Sequence, residues 1–528
     1  MPIDASRESC CSTTVSTATP ISSGGARSNT LFSTLNTEAT TTSRRCPAAW
    51  CQRRANGWRS APGGGDGCCS AAGAMAAAAG MVCHSNAPGD ALRRVPHRGS
   101  AVRGATCLVC NRARLGKTSD VRICRDRLLT DLDDLATFGA NADGGVDRTS
   151  FSPADLAARR WLTQRCDDAG LTLRSDGIGN LFARLGDQQG PAVWTGSHLD
   201  SVPNGGRFDG ALGVLCSLEA LRTIAESATP LRRPLQLVVF ADEEGCYSHL
   251  LGSTALVQGL DAGTLDGLVG RDGQRLTDGL RAAGIDPAQA TTTAVDPGDV
   301  HAFVELHIEQ GVTLERAGAQ IGVVESIVGL GGGSLTFLGR ADHAGTTPMH
   351  LRRDPMRAAA CLLSCLQQVA AEAGDGRSVA TCGRLAVVPG ADNIVAERVT
   401  VFLDFRDPER QVLEALEQAI VQRANACAAE HDVEVTYDRG SLIDPVPLDE
   451  QVRATIAEVA GEQDRILRHL PSGAGHDSQQ MARIAPTGMI FVPSRDGRSH
   501  SPAEYTADDD IEAGANVLLH TLLRLTGT

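Results

Sequence analysis

Aromatic residues and lysine are both scarce. Phe, Trp and Tyr make up 3% of the 528 residues, too few for the stacking platforms of single-strand nucleic-acid binders. Lys117 is the one lysine among 49 basic residues, and the net charge is −14. That balance argues against a nucleic-acid partner for the chain as a whole. No apolar run reaches the length of a helical membrane span. No GxSxG turn is present, which argues against a serine nucleophile on a strand-to-helix elbow. The 17 cysteines do not form a spaced disulfide framework. A reducing, cytoplasmic setting is therefore the expectation.

The chain is 42% hydrophobic, enough for a large core, and its length suits two or three folded units. Its texture breaks near residue 116. Residues 1–116 carry 13 Arg against 5 acidic residues, hold nine of the cysteines, and show neither a helical nor a strand period. Such a stretch buries too little to offset its ordering entropy and reads as a disordered leader. It is an organelle transit segment, a functional tail, or a stretch upstream of a later start at Met75 or Met81; the first would make the location organellar. "CLVC" at Cys107–Cys110 lacks a second pair and is weak evidence for zinc. Cys361 and Cys365, one turn apart, read as core thiols.

From about Ile123 the text becomes periodic. "SFSPADLAARRWLTQRCDDAG" opens on Ser152-Pro153, a cap followed by a first-turn proline. "LTLRSDGIGNLFARL" alternates about a turn as a hairpin does. "PAVWTGSH", then the helix "GVLCSLEALRTIAE", then "PLQLVVFADEEG", imply parallel strands with helices on both faces. Near Ser326 the pattern changes to strand, helix, two strands, helix, strand. The α/β pattern resumes after residue 442 and ends in a helix from Asp509. The expected fold is therefore α/β: a mostly parallel-sheet domain (117–325 and 443–528) interrupted by a smaller α+β sandwich (326–442).

In such sheets ligands bind beyond the C-terminal ends of the strands. The apolar runs there end in "GSHLD", "ADEEG", "ELHIEQG" and "PSRDGRSHSPAE". Each brings a His or an acid to one edge. Taken singly, a strand-end His is more often a structural hydrogen-bonder, "DEE" a solvated turn, and "GGG" at Gly331–Gly333 a linker. Taken together, two His, a carboxylate pair and a bridging Asp suit one or two zinc-like ions.

"GSHLDSVPNGGRFDGALGV", "FADEEG", "ELHIEQG", "HAGTTPM" with "RRDP", "SGAGHD" and "SHSPAE" resemble, in this order, the peptidase family M20 amidohydrolases. The closest likeness is to the branch of N-carbamoyl-L-amino acid hydrolase, β-ureidopropionase and allantoate amidohydrolase, over about residues 120–527. The resemblance implies two divalent ions, Zn²⁺ or Mn²⁺ with Co²⁺ tolerated. His198 and His307 would each hold one ion, Asp209 would bridge both, and Glu244 and His500 would complete the second site. It further implies Glu243 as general base and a dimerising inserted domain. His343 would reach the oxyanion from the partner subunit, Asn393 and Arg406 would bind substrate, and Gln310, Gly475 and His476 would line the cleft. The implied reaction is hydrolysis of a ureido C–N bond in a small carboxylate, first an N-carbamoyl-L-amino acid. Allantoate is second, and a β-ureidopropionase, aminoacylase or peptidase reaction third. His307 stands where the wider family usually has an acid, which argues against a peptidase. A non-catalytic binding protein on the same fold is the reading from another class. Two departures stand out. "CYSHLLGS" is about two residues shorter than the family's loop after "DEEG", and Val312 replaces a usual Pro. His249, within that loop, reads as incidental.

Overall fold

The computed structural model describes residues 120–374 and 376–527. The expected leader (1–116) and the Cys107–Cys110 pair lie outside them. The hairpin is strands β1 (Thr172–Ser175) and β2 (Leu181–Leu185), paired antiparallel. Strands β3 (Ala192–His198) and β4 (Leu235–Phe240) are buried along their whole length, which is why their sequences are continuous apolar runs. Strands β5 (Val300–Ile308) and β6 (Ile321–Ile327) follow.

The chain then enters the inserted layer. Its strands are β7 (Gly329–Leu338), β8 (Asp342–His343), β9 (Val379–Val388), β10 (Ile394–Val395), β11 (Arg398–Asp407) and β12 (Glu434–Ile443), of which β8 and β10 form a separate antiparallel pair. It returns through β13 (Val446–Pro447), β14 (Leu467–Ser472) and β15 (Thr487–Val492). The larger sheet has the order β1-β2-β4-β3-β5-β15-β6-β13, with β14 also on β6. Its four central strands, β4, β3, β5 and β15, are parallel.

Helices cover both faces. Ala211–Ser227, Asp508–Thr526, Arg125–Ala136, Pro153–Asp168 and Glu450–Glu462 share one core with the sheet. Leu256 and Met481, from two short helices, pack with Phe240 and Phe303. The Ala211–Ser227 helix buries Leu212, Leu215, Leu218 and Leu221 almost completely, each worth roughly 1.5–3 kcal/mol. Ser152 caps its helix as expected, accepting from the Asp155 N–H, with Pro153 in the first turn.

The inserted layer is an antiparallel sheet in the order β12-β7-β11-β9. Helices Pro355–Ala373 and Arg410–Glu430 lie on it through Leu362, Leu366, Leu413, Leu416 and Ile420. Strand β9 is an edge and leaves Val379, Leu385 and Val388 exposed.

The structure corrects two expectations in this layer. Gly331–Gly333 are not a linker but the middle of β7. A Cβ on Gly331 would collide with the Phe405 ring, and one on Gly333 with Tyr437. Glycine is what lets aromatic rings of the adjacent strands lie flat on β7. Cys361 and Cys365 are not core thiols: their helix turns Leu362 and Leu366 to the sheet, leaving both cysteines half-buried. Cys361 is disulfide-bonded to Cys427 of the facing helix. Among the described residues no helix is long and apolar enough to cross a membrane.

Candidate metal centre

The C-terminal ends of β3, β4 and β5 and the loop after β15 meet at one rim. His198 ends β3, and its Nδ1 lies 3.0 Å from the Asp200 carbonyl. His307, in β5, sets Nδ1 2.9 Å from the Ile308 carbonyl. A carbonyl only accepts, so in both rings Nδ1 carries a proton and Nε2 is the nitrogen turned to the centre. Both Nε2 atoms face Asp209 Oδ1, at 3.7 and 3.1 Å. The other carboxylate oxygen, Oδ2, is 3.3 Å from His500 Nε2, which in turn is 3.5 Å from Glu244 Oε2.

The result is two three-residue groups that share Asp209: His198, Asp209 and His307; and Asp209, Glu244 and His500. In each, the donor atoms all lie within 4.8 Å of one another. This is the arrangement expected of residues that flank two cations through a shared carboxylate.

The glycines around Asp209 have a steric purpose. Gly210 has φ +65°, and a Cβ there would fall on the His198 ring. A Cβ on Gly206 would strike the Glu504 carboxylate. Glu504 accepts the backbone N–H groups of Phe208 and Asp209 and the Ser499 hydroxyl. Gln310 Nε2 donates to Asp209 Oδ2 at 2.7 Å, and the Ser499 hydroxyl lies at the same distance. The bridging side chain is thus held from both ends. Ser499 and Glu504 were not singled out from the sequence. "SHSPAE" was the available signal, but only folding shows that it reaches back to Asp209.

The electrostatics show what the site lacks as bare protein. Burial pushes the Glu243 carboxyl well above the usual range, and Glu244, Asp477, Asp200 and Asp209 add repulsion. Burial and then Asp209 push Glu244 up to about 8. Burial opposes ionisation of Asp209, yet hydrogen bonds from His307 and His500 hold its carboxyl well below the usual range. Burial lowers His198 to about 4. Burial opposes protonation of His307, yet the hydrogen bond and charge of Asp209, with Glu305 and the Ile308 carbonyl, together raise it to about 9. Glu244 Oε1 is buried without a partner. Crowded buried carboxyls, imidazole nitrogens turned to them and an orphaned carboxylate oxygen are a donor set that suits divalent cations such as zinc or manganese.

Glu243 joins this group without being in either triple. Its Oε2 is 3.6 Å from His198 Nε2. Asp200 accepts the backbone N–H groups of Glu243 and Glu244 and so fixes their turn. His476 is buried, its ring 4.5 Å from that of His307, its Nε2 2.8 Å from the Ser472 hydroxyl.

The expected substrate residues divide into two sets. Gln310, Gly475 and His476 belong to the larger domain. Arg406, on β11 of the inserted domain, crosses to it: Nη1 donates to the Gly473 carbonyl at 2.8 Å. Its Nε and Nη2 grip Asp404 at 2.9 and 3.1 Å. The Nε/Nη2 fork is therefore occupied, and Nη1 and Nη2 each keep one further N–H. His343 and Asn393 sit together on the β8–β10 pair, both exposed. His343 Nδ1 accepts from Gly345 and Thr346 N–H groups, so Nε2–H points outward as a donor.

The shortened loop is closed. Asp242, at φ +56°, accepts from the N–H groups of Cys246, Tyr247 and Ser248. This tight turn brings His249 Nδ1 to 2.8 Å from the Glu243 carbonyl. The closure anchors His249 to the backbone of the candidate base.

Residues 194–524 match peptidase family M20/M25/M40. An N-carbamoyl-L-amino acid amidohydrolase of Geobacillus stearothermophilus is 41% identical over 408 residues, 76% of this chain and 98% of that protein. An allantoate amidohydrolase of Bacillus subtilis is 36% identical over 396 residues, 74% of this chain and 95% of that protein. A crystal structure of an amidase of the hydantoinase/carbamoylase family from Burkholderia multivorans superposes with a TM-score of 0.73. It is 33% identical, over 77% of this chain and 99% of that one.

Proposed function

The chain belongs to peptidase family M20, and from that premise we propose a metal-dependent amidohydrolase that cleaves the ureido C–N bond of a small carboxylate. An N-carbamoyl-L-amino acid is the first substrate and allantoate the second. The observation that carries the reading is the pair of three-residue groups joined through Asp209.

His198, Asp209 and His307 would hold one divalent ion, and Asp209, Glu244 and His500 the other; zinc and manganese both suit these donors. Such ions lower the pKa of a water and polarise a carbonyl. Glu243 takes the proton of the attacking water on its carboxylate and hands it to the leaving nitrogen. Its buried position suits the shuttle, because burial raises its affinity for a proton. Arg406 binds the substrate carboxylate, and Asn393 is a further substrate-binding residue. Gln310, Gly475 and His476 line the cleft.

His343 donates its Nε2–H to the developing oxyanion from the partner subunit. Its exposure, together with the apolar unpaired edge of β9, supports a homodimer formed through the inserted domain. A mixing experiment tests this. His343→Ala and Glu243→Gln proteins, each nearly inactive, are unfolded and refolded together. Activity is expected to return in the mixed dimer, where one site has both residues. No recovery means that His343 does not act across subunits.

Arg406→Lys is expected to raise KM for carboxylate substrates by about 10- to 100-fold, the equivalent of a charge-assisted hydrogen bond. An unchanged KM places the carboxylate elsewhere. Ammonia release from N-carbamoyl-L-amino acids and from allantoate, compared as kcat/KM, tests the substrate order. Release from neither overturns the amidohydrolase reading.

A further inference from the structure

His249 is the side chain near the centre that this reaction does not use. Its Nδ1 lies 2.8 Å from the Glu243 carbonyl, which also accepts the Leu250 N–H at 3.0 Å. The carbonyl can only accept, so Nδ1 carries the ring's proton. At pH 8 an imidazole is neutral, and Nε2 is then a bare acceptor.

That acceptor stands at a defined place. A Cβ on Gly475 would lie 2.7 Å from His249 Nε2 and 3.5 Å from Gln479 Oε1. Two residues before Gly475, the Gly473 carbonyl takes the Arg406 Nη1 hydrogen bond. Nε2 therefore lies against Gly475, between the backbone of the candidate base and the loop that holds the Arg406 guanidinium, and the residue is exposed. Its anchor is rigid, because Asp242 ties three N–H groups of the loop.

A substrate with its carboxylate at Arg406 and its ureido carbon at Glu243 sets the carbon between them opposite this wall. We propose that His249 reads the substituent on that carbon and favours substrates whose substituent carries an N–H or O–H donor over aliphatic ones. This deepens the amidohydrolase reading and rests on it. A filled cleft with an aliphatic substituent strips water from Nε2 and gives nothing back. A site built to accept a hydrogen bond rejects the analogue that lacks the donor. A substituent ending in a carboxylate meets a lone pair and is also disfavoured.

The experiment uses the full-length, Mn²⁺-loaded protein at pH 8. N-carbamoyl-L-asparagine and N-carbamoyl-L-leucine have side chains of nearly equal shape and differ in the donor; allantoate adds a ureido substituent. The wild type is expected to prefer the donor-bearing pair in kcat/KM. His249→Leu is expected to lower the asparagine-to-leucine and allantoate-to-leucine ratios by about tenfold or more. His249→Gln, whose amide oxygen can stand near the Nε2 position, is expected to keep part of the preference. A purely structural role would depress all three substrates alike and leave the ratios unmoved.

Where His249→Leu turns over too slowly, the same ratio is read as Kd by calorimetry in the Glu243→Gln background, with and without the second change. Ratios within about threefold of wild type in His249→Leu overturn the proposal while the amidohydrolase reading stands. A wild type inactive on all three substrates overturns the amidohydrolase reading and this proposal with it.

Discussion

Glu243→Gln is expected to lower kcat by about 10²–10⁴-fold, the range for losing a positioned proton carrier. Gln matches Glu in shape and can still accept a hydrogen bond, but it cannot shuttle the proton. Glu243 stands outside both three-residue groups, so bound metal, measured by elemental analysis, should stay at the wild-type level. The same change removes an acid whose ionisation is opposed by burial and by Glu244, Asp477, Asp200 and Asp209. The melting temperature of the ion-free variant should therefore equal or exceed that of the ion-free wild type. Turnover within tenfold of wild type would remove Glu243 from the proton-carrying role.

The second large effect is on stability. Removing divalent ions with a chelator should lower the melting temperature by several degrees, and more at pH 8.5 than at pH 6.5. The sign follows from which state holds protons. Glu244, pushed up to about 8 by burial and Asp209, and Glu504, pushed up to about 7 by burial and Asp209, keep their protons in the folded protein until the pH passes those values. The unfolded chain sheds these protons near pH 4.3. Stability from these groups therefore falls as pH rises through the folded values. His307 and His500, both raised to about 9 with Asp209 as the raising partner, act in the same direction. The unfolded chain loses their protons near 6.5, while the folded protein keeps them to about 9.

Asp209, held well below the usual range, is ionised in both states across this window. His198 and His476, both lowered by burial, are neutral in the folded protein; the unfolded chain holds about half of these protons at pH 6.5 and sheds them just above it, a smaller effect of opposite sign. Restoring Zn²⁺ or Mn²⁺ should reverse the loss, since a ligand at a thousandfold excess over its Kd stabilises by about 4 kcal/mol. Asp209→Asn should abolish that recovery, because the residue belongs to both groups. Differential scanning calorimetry at the two pH values reads the result. A melting temperature indifferent to chelator and to pH would mean that the acids are satisfied without cations.

Much of the centre was legible in the chain because its residues end apolar runs. His198, Glu243, Glu244 and His307 follow stretches that can only be buried strands, and a parallel sheet aligns such ends at one rim. The two sets of helices and the interrupting layer were legible from period alone. Less legible were features that depend on contacts between distant segments. Strand β14, "LRHLPS", reads as polar because only Leu470 and Ser472 are buried in it. Gly331–Gly333 resembled a linker because the rings that occupy their space come from Phe405 and Tyr437. The grip of Glu504 on the Asp209 backbone spans 295 residues. His249 looked idle because its position depends on Asp242 folding the next six residues over its own carboxylate.

The inserted layer leaves and rejoins the larger sheet at adjacent points. Ile327 pairs with Val446 across the catalytic sheet, and Leu330 with Ile443 just inside the inserted one. The outgoing and incoming strands are thus clamped to each other on both sides of the crossing. A two-stranded ribbon of this kind bends and twists easily but resists being stretched or sheared. Any opening of the cleft is therefore a swing about the ribbon. It would lift Arg406 from the Gly473 carbonyl in an arc while Ile327 and Val446 stay in place. The same adjacency makes the layer a cassette: a short turn joining Ile327 to Val446 would close the parent sheet without asking any of its strands to move.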